Sequence, residues 1–184
     1  MLRTFVTILV ALGLPALSAA AQTVDSILPI EEQVRRFRAT VAEHPTRLRG
    51  APSRSALVLR FVEALERRDT LALASLLLDK AEFAYLYYPW TPYTRPPYRQ
   101  DPALVWFRMS AISERGLTRL LARDAGTPLG VTGHRCDPEP NRMGPNRVWT
   151  NCVVTIARTR PRQLFGSIIE RDGRFKFLTY DTEY

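Results

Sequence analysis

Residues 89–102, PWTPYTRPPYRQDP, have the least ordinary composition in the chain and the side chains best suited to chemistry. Trp90, Tyr93 and Tyr98 interleave there with Arg95 and Arg99, and Tyr85 and Tyr87 lead into the segment. Exposed aromatic rings beside guanidinium groups stack on sugar rings and peptides and hold anionic glycans by charge-assisted hydrogen bonds. These seven side chains are the predicted ligand-contact surface. The competing reading is that the same rings fold back and seal one end of the core. A second chemistry is carried by Asp79 and Glu82 ahead of Tyr85. A carboxylate base beside a phenol donor in an apolar cavity suits proton transfer, as in a small-molecule lyase or isomerase. Against it, Asp79-Lys80 reads more simply as a surface pair, and tyrosines on a strand as core rings with a wet hydroxyl.

Other chemistries have little to stand on. No serine sits in a GxSxG elbow, and no phosphate loop or EF-hand pattern occurs. His134 lies two residues before Cys136, but His44 is remote and there is no CxxC, so neither a metal nor another cofactor is expected. Cys136 and Cys152 are the only cysteines. In an oxidising compartment such a pair forms a disulfide, which for a loop of this size stabilises by about 3 kcal/mol in the chain-entropy model.

The N-terminus supplies that compartment. Arg3, the apolar run 5–14, Pro15 and Ser18-Ala19-Ala20-Ala21 have the layout of a secretory signal peptide over residues 1–21, cut before Gln22. The apolar run is shorter than the roughly 20 residues that span a bilayer. A secreted or periplasmic protein with no stable membrane insertion after cleavage is therefore expected. The formal charge of the whole chain is +8. It is almost all arginine, the only lysines being Lys80 and Lys176. The arginines are scattered, without the clustered basic run of a nucleic-acid binder, so no nucleic-acid partner is expected. A basic surface suits anionic envelope polymers or lipid headgroups, or is simply solvated. An unknown small molecule or an envelope glycan is the expected partner.

Positioning falls to the elements around these residues. Residues 22–54 read as an arm with one short helix begun by Pro29, its stripe being Ile30, Val34 and Phe37. Residues 55–184 read as a single α+β domain. Leu57, Val58, Phe61, Val62 and Leu65 share one face of a helix capped by Ser53 or Ser55. Asp69 caps a second helix carrying Leu71, Leu73, Leu76 and Leu77. Residues 81–88 alternate as a strand does, with helical continuation as the rival reading. The five prolines of 89–102 favour extended or polyproline chain. Asp101-Pro102 opens a helix that Ser113-Glu114-Arg115-Gly116 interrupts, and which then resumes until Gly126. Strands follow at 129–136, 147–158, 163–171 and 174–180, the last two joined by an Asp172-Gly173 hairpin, with 137–146 as a loop.

FVEALERRDTLALASLLLD resembles the opening helix pair of nuclear-transport-factor-2-like (SnoaL-like) proteins, and GSIIERDGRFKFLTYD is similar to that fold's closing hairpin. The resemblance implies N-terminal helices packed on a curved C-terminal antiparallel sheet, a cone-like shape with a pocket at its open end. In that family the pocket hosts isomerases, dehydratases, epoxide hydrolases and plain binders. The leader, the Pro-aromatic segment and the cysteine pair depart from the family pattern. A ligand-binding or interaction module is the first expectation, and the lyase or isomerase its alternative. A homodimer through the outer sheet face would suit a purely structural envelope role.

Overall fold

The computed structural model describes residues 28–157 and 159–181. The expected signal peptide and its cleavage site lie outside them. The protein is α+β, with five α-helices and two antiparallel sheets among the described residues. Among the described residues no helix is long and apolar enough to cross a membrane.

Helix α1 (Ile30–Arg38) starts at Pro29, carries Glu31 and Glu32 in its first turn and three arginines in its last, and so complements its own dipole. Helix α2 (Arg54–Glu66) is capped by Ser53, whose side chain accepts from the Ala56 amide at 3.0 Å. Arg68 takes a left-handed φ of 56° and turns the chain, and Asp69 then caps α3 (Thr70–Leu76) through the Ala72 amide at 2.9 Å. Leu73 and Leu76 are buried, but Leu71, read as part of the same apolar run, is 84% exposed. Two residues along a helix is about half a turn, so Leu71 and Leu73 point apart.

The strand expected at 81–88 is helical. Asp79 and Glu82 form a capping box that starts α4 (Lys80–Glu82). A π-turn (Phe83–Tyr87) and a 3₁₀-turn (Tyr88–Trp90) continue it. Phe83, Ala84, Leu86, Tyr87 and Tyr88 are all buried, which alternation forbids and a widened helical turn allows. The prolines that follow do not extend the chain either. Pro89 and Pro92 sit in the first positions of 3₁₀-turns, where their fixed φ and missing N–H cost nothing, the second turn being Pro92–Thr94.

Helix α5 (Pro102–Arg123) is capped by Asp101 and runs unbroken through Ser113 and Gly116, the predicted interruption. Those two residues are buried where the C-terminal chain crosses the helix. The Ser113 hydroxyl accepts from the Tyr180 amide at 3.3 Å, and a Cβ on Gly116 would overlap the Tyr180 carbonyl oxygen. Small residues here permit a close approach instead of breaking the helix.

Strand β1 (Val131–Arg135) pairs with β4 (Val153–Ile156); β2 (Asn141–Met143), β3 (Asn146–Trp149), β5 (Ile168–Arg171) and β6 (Arg174–Phe177) form a four-stranded sheet in the order β2-β3-β5-β6. The single strand expected at 147–158 is thus two strands in different sheets. Asn151, with φ 50°, makes the break, and Asp137 closes it by accepting from Thr150 Oγ1 and Asn151 Nδ2, both at 2.8 Å. The loop expected at 137–146 contains β2 and the tight turn at Gly144. Residues 163–167, expected as strand, precede β5. The Asp172-Gly173 hairpin stands as read, both residues having positive φ.

Apolar burial falls on both faces of the four-stranded sheet. On one, α2 and α3 meet Ile168 and Phe177, with Val154 and Tyr180 in the same core. On the other, Phe37 of α1, Leu48 of the arm and the 83–88 rings meet Val148, Ile169 and Leu178. The arm also pairs with the sheet, Ala51 and Phe175 exchanging two backbone hydrogen bonds of 2.9 Å.

Candidate functional site

The Pro-aromatic segment meets the start of α5 and the β5–β6 sheet around a pocket of ≈ 320 Å³. Tyr87, Tyr93, Gln100, Arg108, Ser167 and Thr179 bring polar atoms to its lining, and Val105, Met109, Ile112 and Leu178 make up the rest. Local bonding holds this shape. The Gln100 amide donates to the Tyr93 carbonyl at 2.9 Å, closing the segment on itself. The Tyr88 hydroxyl donates to the Gln100 carbonyl, and Arg108 reaches the Gln100 side chain at 3.3 Å. The Leu178 amide donates to the Ser167 carbonyl at 2.9 Å. Burial, and then the neighbouring Tyr93 phenol, pushes the Tyr87 phenol up to about 12, so it enters the pocket as a neutral hydrogen-bonding group.

The seven predicted contact residues divide. Tyr87 and Tyr93 line the pocket, although Tyr87 is buried and not part of an outer surface. Tyr98 stands edge-on to Tyr93 at 6.3 Å and is 56% exposed. Arg95 and Arg99 are exposed beside it, in a turn where the Arg99 amide donates to the Arg95 carbonyl at 3.1 Å. Trp90, 42% exposed, lies against the Gly144 turn. Tyr85 is elsewhere, with the His44 ring at 4.8 Å and the Arg38 guanidinium at 4.7 Å. Gln100, Arg108, Ser167 and Thr179 are additions to the predicted set. Ser167 and Thr179 arrive through long-range strand pairing and carry no local signal.

The second predicted chemistry is dispersed. Glu82 is fully buried, its carboxylate 2.6 Å from Lys176 Nζ and accepting the Arg49 backbone N–H at 2.7 Å. Asp79 lines a separate, mostly apolar groove of ≈ 340 Å³ between α3 and α5, and Tyr85 is not among its lining residues. Burial alone would push the Asp79 carboxyl up. The Glu82 amide, the Arg49 guanidinium at 3.0 Å and the Lys176 ammonium outweigh it and hold the carboxyl below the ordinary range. A carboxylate so stabilised is a weak base. Its depressed pKa adds stability that is present above the unfolded-state value and lost as pH falls through the lower, folded one. Asp79→Asn is therefore expected to flatten the loss of stability below about pH 4. Urea melts at several acid pH values check this, and parallel curves for the two proteins would refute it.

Cys136 and Cys152 form a disulfide that joins the end of β1 to the start of β4. Burial, and then the Arg54 charge, pulls the His134 imidazole below its usual range. Among the described residues no group of three or more His, Cys, Asp or Glu is placed to hold a metal ion. Comparison with known proteins finds no matching family model, no matching curated protein and no matching solved structure.

Proposed function

We propose that the protein is an exported, non-catalytic binding module whose pocket beside the Pro-aromatic segment takes a small anionic sugar, free or at the end of an envelope glycan. The observation that carries this reading is the convergence of two tyrosine rings, three hydrogen-bonding side chains and one guanidinium on ≈ 320 Å³. A ring such as Tyr93 offers a face for a sugar ring. Gln100, Ser167 and Thr179 offer donors and acceptors for hydroxyls, and Arg108 offers a charged fork for a carboxylate. The disulfide and the composition of residues 1–21 support export. The packing of α2 and α3 under β5 and β6 supports the nuclear-transport-factor-2-like plan as the scaffold.

Calorimetric titration with a glucuronic-acid disaccharide, and with its neutral glucose counterpart, tests the reading. Saturable binding of the acidic sugar is expected, weaker binding of the neutral one, and a loss of about tenfold or more in affinity for both Tyr93→Ala and Arg108→Gln. Arg108 is exposed, so Arg108→Gln is expected to leave the melting temperature unchanged. No binding of either sugar, or equal binding by parent and variants, would refute the proposal.

A further inference from the structure

Six large apolar side chains are exposed among the described residues, and four of them, Trp90, Tyr98, Leu104 and Phe107, fall between positions 90 and 107. Exposed apolar side chains gathered in one stretch of chain are the material of a docking surface. Leu104 and Phe107 are one turn apart on α5, so they share its outer face, while Pro102 and Val105 are buried on the inner one. The hydrogen bond from Arg108 to Gln100 ties this end of α5 to the turn that carries Arg95, Tyr98 and Arg99. No carboxylate pairs with Arg95, Arg99 or Arg108 among the described residues.

We propose that the first two turns of α5 and the 95–99 turn form a face that docks on an anionic lipid bilayer. A helix lying in the plane of a membrane interface sinks Leu and Phe into the acyl boundary and keeps arginines at the headgroups. Tyrosine and tryptophan settle at that same level, one end apolar and the other wet. Unpaired arginines supply the complement to anionic headgroups. A second copy of the chain is a poor occupant. An isologous contact through this face would set three arginines, Arg95, Arg99 and Arg108, against the same three, with only the Asp101 carboxylate on each side to offset them. The face neighbours the sugar pocket but does not depend on it. Leu104, Phe107, Arg95 and Arg99 do not line that pocket.

Both native cysteines are in the disulfide, so a single added cysteine can carry a bimane label. In the full chain, the label on Phe107→Cys is expected to shift to the blue and be quenched by doxyl lipids on phosphatidylglycerol-rich vesicles. Pure phosphatidylcholine vesicles should give a weaker response. The same label on Leu59→Cys, an exposed position on α2, should stay silent; it controls for attachment through the N-terminal apolar run. Arg95→Gln and Arg99→Gln are each expected to lower partitioning about fivefold. Salt near 1 M, where the screening length is about 3 Å, should weaken it further. Tyr93→Ala should leave the vesicle response intact, so failure of sugar binding and failure of docking are read separately. A silent Phe107 label on anionic vesicles, an equal response to neutral ones, or a Leu59 label that responds as strongly would overturn the proposal. So would a dimer in sedimentation velocity that Phe107→Glu abolishes.

Discussion

Replacing Lys176 by alanine is expected to destabilise the fold by about 3–5 kcal/mol, the cost of leaving one member of a buried ion pair unpartnered. Lys176 on β6 is buried, with its ammonium 2.6 Å from the Glu82 carboxylate and 3.9 Å from that of Asp79. Glu82 also accepts from the Asp79 amide at 3.2 Å and from the Arg49 amide at 2.7 Å. One carboxylate thereby joins the arm, the start of α4 and the edge of the sheet, and without the ammonium its buried charge loses the cation that pairs with it. The double variant Glu82→Gln/Lys176→Met should recover most of the loss. It removes both charges together, and glutamine still serves the capping box. Urea denaturation of the parent, the single variant and the double variant measures both quantities. A Lys176→Ala protein within about 1 kcal/mol of the parent would show the pair to be water-accessible and incidental.

Phe61→Ala is expected to cost a similar amount, about 3–5 kcal/mol. Its fully buried ring stands edge-on to Phe165 at 5.4 Å and to Phe177 at 5.5 Å, and tilted to Tyr180 at 5.6 Å. Four rings from α2, the β4–β5 connection, β6 and the C-terminal segment thus fill one site. Removing the central one leaves a cavity that three separate elements must collapse into. Leu59→Ala, on the same helix but 59% exposed, should change stability by about 0.5 kcal/mol or less. Equal costs at the two positions would mean that α2 does not pack as described.

The helix pair beneath the sheet was legible because periodicity and caps agreed. Leu57, Phe61 and Leu65 recur at helical spacing, and Ser53 and Asp69 sit at the two starts. Where local signals conflicted, the louder one misled. The aromatic alternation of 83–88 suggests a strand, yet Asp79 and Glu82 three residues apart already spell a helix start. Ser113 and Gly116 read as a breaker because Tyr180, the reason for their small size, lies far along the chain. Asn151 divides β3 from β4 through a single left-handed residue that strand alternation does not reveal. The pocket follows the same division. Tyr87 and Tyr93 could be named from composition, whereas Ser167 and Thr179 reach it only after β5 and β6 have paired.

The outer border of β6 illustrates what such pairing secures. Ala51 occupies it at Phe175, and the Leu78 amide donates to the Phe177 carbonyl at 2.8 Å from the other end. A β-strand rim left bare is a template for foreign chains and a seed for fibrils. Here the protein's own early residues already fill it, so strand-by-strand polymerisation from this rim has to begin by peeling away the segment around Ala51.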